Sequence, residues 1–237
     1  MKKAFTLAEV LITLGIIGVV AALVMPSLIA NHQKKVWVAQ LQKAVNAWDN
    51  GMALMLSSEE VDSLGQTQLA RQIQKQFGLN YYQFNTKIDD SFINKYFKVS
   101  EIHYTYPTYP TMKGLNSPTF SLNNPGWYMP DGTRYYVMFD NLDNDVKNIY
   151  YGTVWIDING LKGPNIAGRD VFFFYLRRDG QLLANGSEQA KEELTGYISW
   201  HDDPTLCGTP GSSVMPANTT GRGCAARIIE NNWVMDY

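Results

Sequence analysis

The residues with the densest potential for chemistry lie in the run DINGLKGPNIAGRD, from Asp157 to Asp170. Asp157, Asn159, Asn165 and Asp170 offer four side-chain oxygens in a stretch punctuated by glycines. Ca²⁺ takes oxygen ligands of this kind, completed by backbone carbonyls. The spacing departs from an EF-hand, whose loop ends on a glutamate that is missing here. Asp and Asn in a glycine-rich loop also turn their side chains onto their own backbone. Two readings therefore stand: a Ca²⁺ site and a self-bonded turn. A second acidic stretch, Asp140 to Asp145, reads as a solvated hairpin loop.

Other chemistry is sparse. His32, His103 and His201 are scattered, and neither a paired-cysteine zinc pattern nor a Gly-x-Ser-x-Gly elbow occurs. No Gly-x-Gly-x-x-Gly or Walker loop is present. His201-Asp202-Asp203 is the one His/acid cluster, and it runs into Pro204 as a solvated surface turn would. Catalysis is not expected. A net charge of −2 gives no electrostatic reason to expect the concentrated basic surface that phosphate backbones require, so nucleic acid is not expected as a ligand of the whole chain. Cys207 and Cys224 are the chain's two cysteines, with 16 residues between them in a Gly/Pro/Ser/Thr-rich stretch. They suit a loop-closing disulfide in an oxidising compartment, with two free thiols in a reducing one as the alternative.

The elements that carry these residues begin with FTLAEVLITLGIIGVVAALVMPSLIA, residues 5–30, in which Glu9 is the only charge. Such a helix is long enough to cross a hydrocarbon core of about 30 Å. Lys2 and Lys3 precede it and favour a cytoplasmic start, whereas Lys34 and Lys35 beyond it weaken that bias. A cleavable signal peptide is the rival. It would not carry Thr6 and Glu9 at the start of its apolar run, nor remain apolar through Met25–Ala30. Beyond Ala30 the apolar residues Val38, Leu41, Val45, Trp48, Met52 and Met55 recur at three- and four-residue steps. One long helix results, apolar over 5–30 and amphipathic over 31–57, followed by a head over 58–237.

A carboxylate within a membrane helix costs on the order of 2.5–3.5 kcal/mol, so Glu9 calls for a partner or for a route to the headgroups. Gly15, Gly18 and Pro26 weaken the same helix, because glycine costs about 1 kcal/mol against alanine and proline removes a ladder hydrogen bond.

Over its first 30 residues, MKKAFTLAEVLITLGIIGVVAALVMP onward, the chain resembles the short-leader type IV pilins and type II secretion pseudopilins. The resemblance implies that a prepilin peptidase removes residues 1–4, cutting between Ala4 and Phe5, and methylates the new amine. The family's usual residue before the cut is Gly, and Ala4 departs from it. The resemblance implies that Glu9 meets the Phe5 amine of a neighbouring subunit and sets filament register, and that the helix yields between Gly18 and Pro26 in the fibre. It further implies a bacterial inner-membrane protein, single-pass, with an extracytoplasmic head. Its partners would be membrane lipid, then an inner-membrane assembly platform and other pilin or pseudopilin subunits, in a filament of the periplasm or cell surface. More loosely, the Asp157–Asp170 loop resembles the calcium-binding loop of major pseudopilins. The rival reading is a membrane-anchored extracytoplasmic binding or enzymatic domain.

The expected fold class is α+β, a long N-terminal helix packed on an antiparallel sheet, as in pilins. Strands are expected at Tyr135–Phe139, Gly152–Ile158 and Val171–Leu176, with Asp131-Gly132 and Asp179-Gly180 as hairpin turns. Thr119–Leu122 adds a candidate strand, and a polar helix is expected from Ser57 to about Phe77. Phe172-Phe173-Phe174-Tyr175 reads as a central strand covered on both faces. Cys224–Tyr237 reads as an amphipathic helix docking Ile228, Ile229 and Trp233.

Overall fold

The computed structural model describes residues 6–77, 91–103, 109–112, 126–139, 150–194, 196–216 and 218–237. Ala4, Phe5, the candidate strand Thr119–Leu122 and the acidic stretch from Asp140 to Asp145 lie outside the described residues.

Leu7–Ser58 forms one helix, α1, of 52 residues. At 1.5 Å per residue it is about 78 Å long. It begins on a reciprocal cap. Thr6 Oγ1 accepts from the Glu9 N–H at 3.3 Å, and the Glu9 carboxylate accepts from the Thr6 N–H at 2.8 Å. From Leu7 to Ile29, fourteen large hydrophobic side chains are exposed around the whole circumference. From Val38 onward the pattern narrows to one buried stripe of Val38, Leu41, Val45, Trp48, Met52 and Met55. That stripe is the amphipathic half expected from the periodicity.

The stripe also settles where α1 ends. Met52 and Met55 keep its last turns buried, so Ser57 and Ser58 close this helix rather than open the next. The helix expected from Ser57 is corrected to α2, Gln68–Phe77. A turn and a short 3-10 segment at Leu64–Gln66 intervene. The Glu59 carboxylate, just past α1, accepts from the Gln68 N–H at 2.7 Å and so caps the start of α2. A short helix, α3, covers Ser91–Tyr96.

Six strands follow: β1 Glu101–His103, β2 Gly126–Tyr128, β3 Arg134–Phe139, β4 Tyr150–Asp157, β5 Val171–Arg177 and β6 Leu182–Ala184. They form one antiparallel sheet in chain order. The Asp131-Gly132 and Asp179-Gly180 turns join β2 to β3 and β5 to β6, as expected. β5 has β4 and β6 as neighbours, and its residues alternate between two cores. Phe172 and Phe174 pack toward α1, while Phe173 and Tyr175 face a second cluster with Trp155, Tyr136 and Leu194. Both faces are covered, which accounts for the continuous aromatic run. Three short helices complete the head: α4 Glu188–Glu193, α5 Pro204–Cys207 and α6 Cys224–Glu230. The helix expected to Tyr237 stops at Glu230, because Asn232 and Trp233 take positive φ angles of 54° and 60°. Ile228 is buried, with Ile229 and Trp233 packed beside it.

Trp48 fixes the sheet on the helix. Its ring lies 5.7 Å from that of Trp127, and its Nε1–H donates to the Gly180 carbonyl at 2.9 Å. Gly180 has φ 82°, and a Cβ there would sit 2.8 Å from Met52 Cβ, so the β5–β6 turn reaches α1 only as glycine. Tyr135 donates its hydroxyl to the Ala44 carbonyl at 2.8 Å, and Asp49 accepts the N–H of Leu182 on edge strand β6 at 3.2 Å. The long N-terminal helix and six-stranded antiparallel sheet are an α+β arrangement matching a pilin-like fold.

Candidate functional site

The sequence-predicted site residues fall at three places. Glu9, Gly18 and Pro26 lie on the exposed half of α1. The four oxygen-bearing residues lie in the β4–β5 connection. The cysteines lie at the ends of a C-terminal loop.

Glu9 sits in the first turn of α1, bonded to both the N–H and the hydroxyl of Thr6. Thr6 was legible only as part of a polar pair; its capping role follows from its place ahead of an acid three residues on. Nearby, the Thr13 hydroxyl donates to the Glu9 and Val10 carbonyls. No heavy atom lies within 4 Å of where a Cβ would stand on Gly15 or Gly18. Pro26 lies inside the helix, where its missing N–H removes one rung of the ladder. The helix nevertheless runs continuously through all three positions.

The β4–β5 loop does bring its four residues together. Asp157 and Asp170 are fully buried. Asp157 Oδ1 accepts from the N–H groups of Asn159 and Gly160 at 3.2 and 2.7 Å, and Oδ2 from the Tyr109 hydroxyl at 3.1 Å. Asp170 Oδ2 accepts from the Asn165 N–H at 2.8 Å and Asn159 Nδ2 at 3.2 Å, and Oδ1 from the Ile166 N–H at 2.7 Å. Asn159 Nδ2 also donates to the Gly163 carbonyl at 2.9 Å. Burial pushes the Asp157 carboxyl up to about 6, against the pull of the Gly160 and Asn159 N–H groups. Burial raises Asp170 as well, opposed by the N–H groups of Asn165 and Ile166.

This arrangement decides between the two sequence readings. N–H and O–H donors meet all four carboxylate oxygens, where a cation would need acceptors turned toward it. The acceptors left over, Asn159 Oδ1 and Asn165 Oδ1, are buried without a hydrogen-bond partner, and they are two neutral oxygens with no free carboxylate beside them. Among the described residues no three His, Cys, Asp or Glu side chains converge. As arranged, the donor set does not fit Ca²⁺; the loop is the self-bonded turn.

Cys207 and Cys224 are joined as a disulfide, and both are buried. Beside them stands a residue that the sequence did not single out. Arg227 is fully buried on α6, and its guanidinium donates to the Cys207 and Ser212 carbonyls at 2.8 and 2.7 Å and to both Asp236 oxygens at 2.8 Å. The rings of Trp200 and Tyr237 lie 5.2 and 5.1 Å from it. Tyr237 then donates its hydroxyl to the Gly168 carbonyl at 2.7 Å, tying this corner to the β4–β5 loop. A lone arginine in an apolar helical pattern with an acid nine residues on was the only available hint. His201, from the one His/acid cluster, lies 3.2 Å from Glu230, which also accepts from Trp200 Nε1 at 2.6 Å. That carboxylate closes a surface network against α4 through the Glu188 N–H.

No family model, no curated protein and no solved structure matches this chain.

Proposed function

We propose that this chain is a filament subunit of the pilin or pseudopilin kind, held first in a membrane through α1 and then stacked through the same helix into a fibre. The carrying observation is the division of α1. Its first half presents apolar side chains on every side, whereas its second half is a wall of the head's core. Burying each such side chain is worth roughly 1.5–3 kcal/mol, so this half belongs in lipid or among neighbouring helices. The helix is long and apolar enough to cross a membrane. The disulfide supports a head on the oxidising side.

In this reading a prepilin peptidase cuts before Phe5, and an inner-membrane platform and sister subunits are the later partners. The new amine would belong to Phe5, the residue that precedes Thr6 in the sequence. In the separate chain Glu9 is satisfied by Thr6; in the fibre it exchanges that partner for the amine of a neighbour. Gly18 and Pro26 then mark where the helix yields under packing.

Mass spectrometry of the mature N-terminus tests the proposal. A chain beginning with methylated Phe5 is expected. An intact Met1, or a chain beginning after Ala30, would sink it in favour of an anchored or secreted extracytoplasmic domain.

A further inference from the structure

Where α1 leaves the head, the stripe that buries Trp48 and Leu41 continues downward through Trp37, Lys34 and Ile29. The head's lower rim, with Arg169, Met215 and Tyr237, overhangs this stripe and encloses a cleft of about 560 Å³. The cleft adjoins the last turns of the apolar half, at the level where a membrane-spanning helix passes from hydrocarbon to headgroups. Its walls combine thioether, aromatic and aliphatic surface with two cations, and no Asp or Glu lines it among the described residues. Neither Lys34 nor Arg169 forms an ion pair with a described residue. The Trp37 Nε1–H is buried with no acceptor among them. A buried donor without a partner is costly, so an acceptor entering the cleft would be favoured there.

The β4–β5 loop supplies the positioning. Asp170, fixed by the Asn165 and Ile166 N–H groups, holds the backbone on one side of Arg169, and the Arg169 N–H donates to the Ile166 carbonyl at 3.0 Å. Tyr237 pins Gly168 on the other side. Arg169 is thus presented at the cleft by a framework that uses none of its own side-chain donors.

We propose that this cleft binds the phosphate headgroup of an anionic phospholipid, with Arg169 and Lys34 on the phosphate, Trp37 Nε1–H donating to a headgroup oxygen, and the acyl chain lying along Ile29. The proposal rests on the reading that α1 spans a membrane. Charge selects the occupant. A second copy of this chain would bring its apolar helix and leave two cations and a donor unmatched, whereas an anionic lipid at this depth matches all three and the apolar wall together. Basic side chains near an anionic membrane surface contribute about 1 kcal/mol each, and tryptophan and lysine favour the interface.

The test reconstitutes the full-length chain in bilayers of mixed phosphatidylglycerol and phosphatidylcholine, then measures by native mass spectrometry which lipid stays bound. Wild type is expected to retain phosphatidylglycerol in preference. Arg169→Gln and Lys34→Gln should each weaken that retention about fivefold, the factor set by about 1 kcal/mol per cation. Lys35→Gln, which removes an equal charge from an exposed neighbouring position outside the cleft, should weaken retention less than either cleft substitution. Equal retention of the two lipids, or a loss in Lys35→Gln as large as in Arg169→Gln, overturns the cleft as a headgroup site while leaving the membrane reading intact. A chain absent from the bilayer fraction altogether overturns both. An unchanged melting temperature for Arg169→Gln separates loss of lipid from loss of fold.

Discussion

Asp157 is buried in full and accepts three hydrogen bonds, yet its carboxyl is pushed up to about 6. The folded-state value therefore lies above the 3.8 of an ordinary aspartate, and the folded chain holds the proton more tightly than the unfolded one. The associated stability is fully present below about pH 4 and is lost as pH rises through about 6. A shift of this size corresponds to roughly 3 kcal/mol in the limit. Asp157→Asn keeps an acceptor for the Asn159 and Gly160 N–H groups and removes the titration. Denaturant midpoints measured from about pH 4 to about pH 7 should fall more steeply with pH in wild type than in the variant. Parallel slopes would show that Asp157 does not titrate in this window. Gly51 carries a different constraint, one of space. A Cβ there would stand 2.5 Å from the Phe97 ring, which is held against Trp48 and Trp127. Gly51→Ala gains about 1 kcal/mol in helix propensity, but overpacking costs about 1–3 kcal/mol, so a net loss near 1 kcal/mol is expected in chemical denaturation.

At the scale of elements, the β4–β5 connection separates what its composition suggests from what its geometry does. The same four oxygen-bearing residues would serve a cation or a self-bonded turn, and sequence alone cannot decide, because both use Asp and Asn among glycines. The directions of the N–H groups decide it. The melting temperature should accordingly be the same with added Ca²⁺ and with a chelator; a rise with Ca²⁺ would show that the carboxylates exchange their N–H donors for the ion. Other elements were open to sequence reading in proportion to how local their causes are. β3, β4 and β5 declare themselves through aromatic and β-branched runs, with Asp-Gly turns at the β2–β3 and β5–β6 connections. α1 does so through two different periodicities. β1, three residues at the sheet edge, has no alternation to read and exists because Ile102 pairs with Trp127. Arg227 is not legible in the sequence, because its partners at Cys207, Ser212 and Asp236 meet it only in the folded disulfide corner. Likewise, nothing in Arg169 itself announces the cleft, which depends on the distant Tyr237 and Asp170.

The whole molecule divides its hydrophobic surface unequally. Fourteen exposed large apolar side chains lie between Leu7 and Ile29, against Leu54, Ile198, Val214 and Val234 elsewhere among the described residues. Scattered single exposures of the second kind are normal for a soluble domain, whereas a continuous apolar cylinder is not. The core cluster starts at Val38 with Trp37 packed against it, so it takes no side chain from the first 30 residues. A chain starting at Asn31 should therefore fold as a detergent-free monomer with its Cys207–Cys224 bond intact, whereas the full chain should require detergent or bilayer. Size-exclusion chromatography without detergent, read beside near-ultraviolet circular dichroism for the Trp48–Trp127 packing, measures both. Aggregation of the shortened chain would mean that the head itself has an unmet apolar surface, and would move the subunit interface from α1 to the sheet. A monomer with native aromatic signals places the entire demand for lipid or neighbours on α1, where a filament subunit needs it.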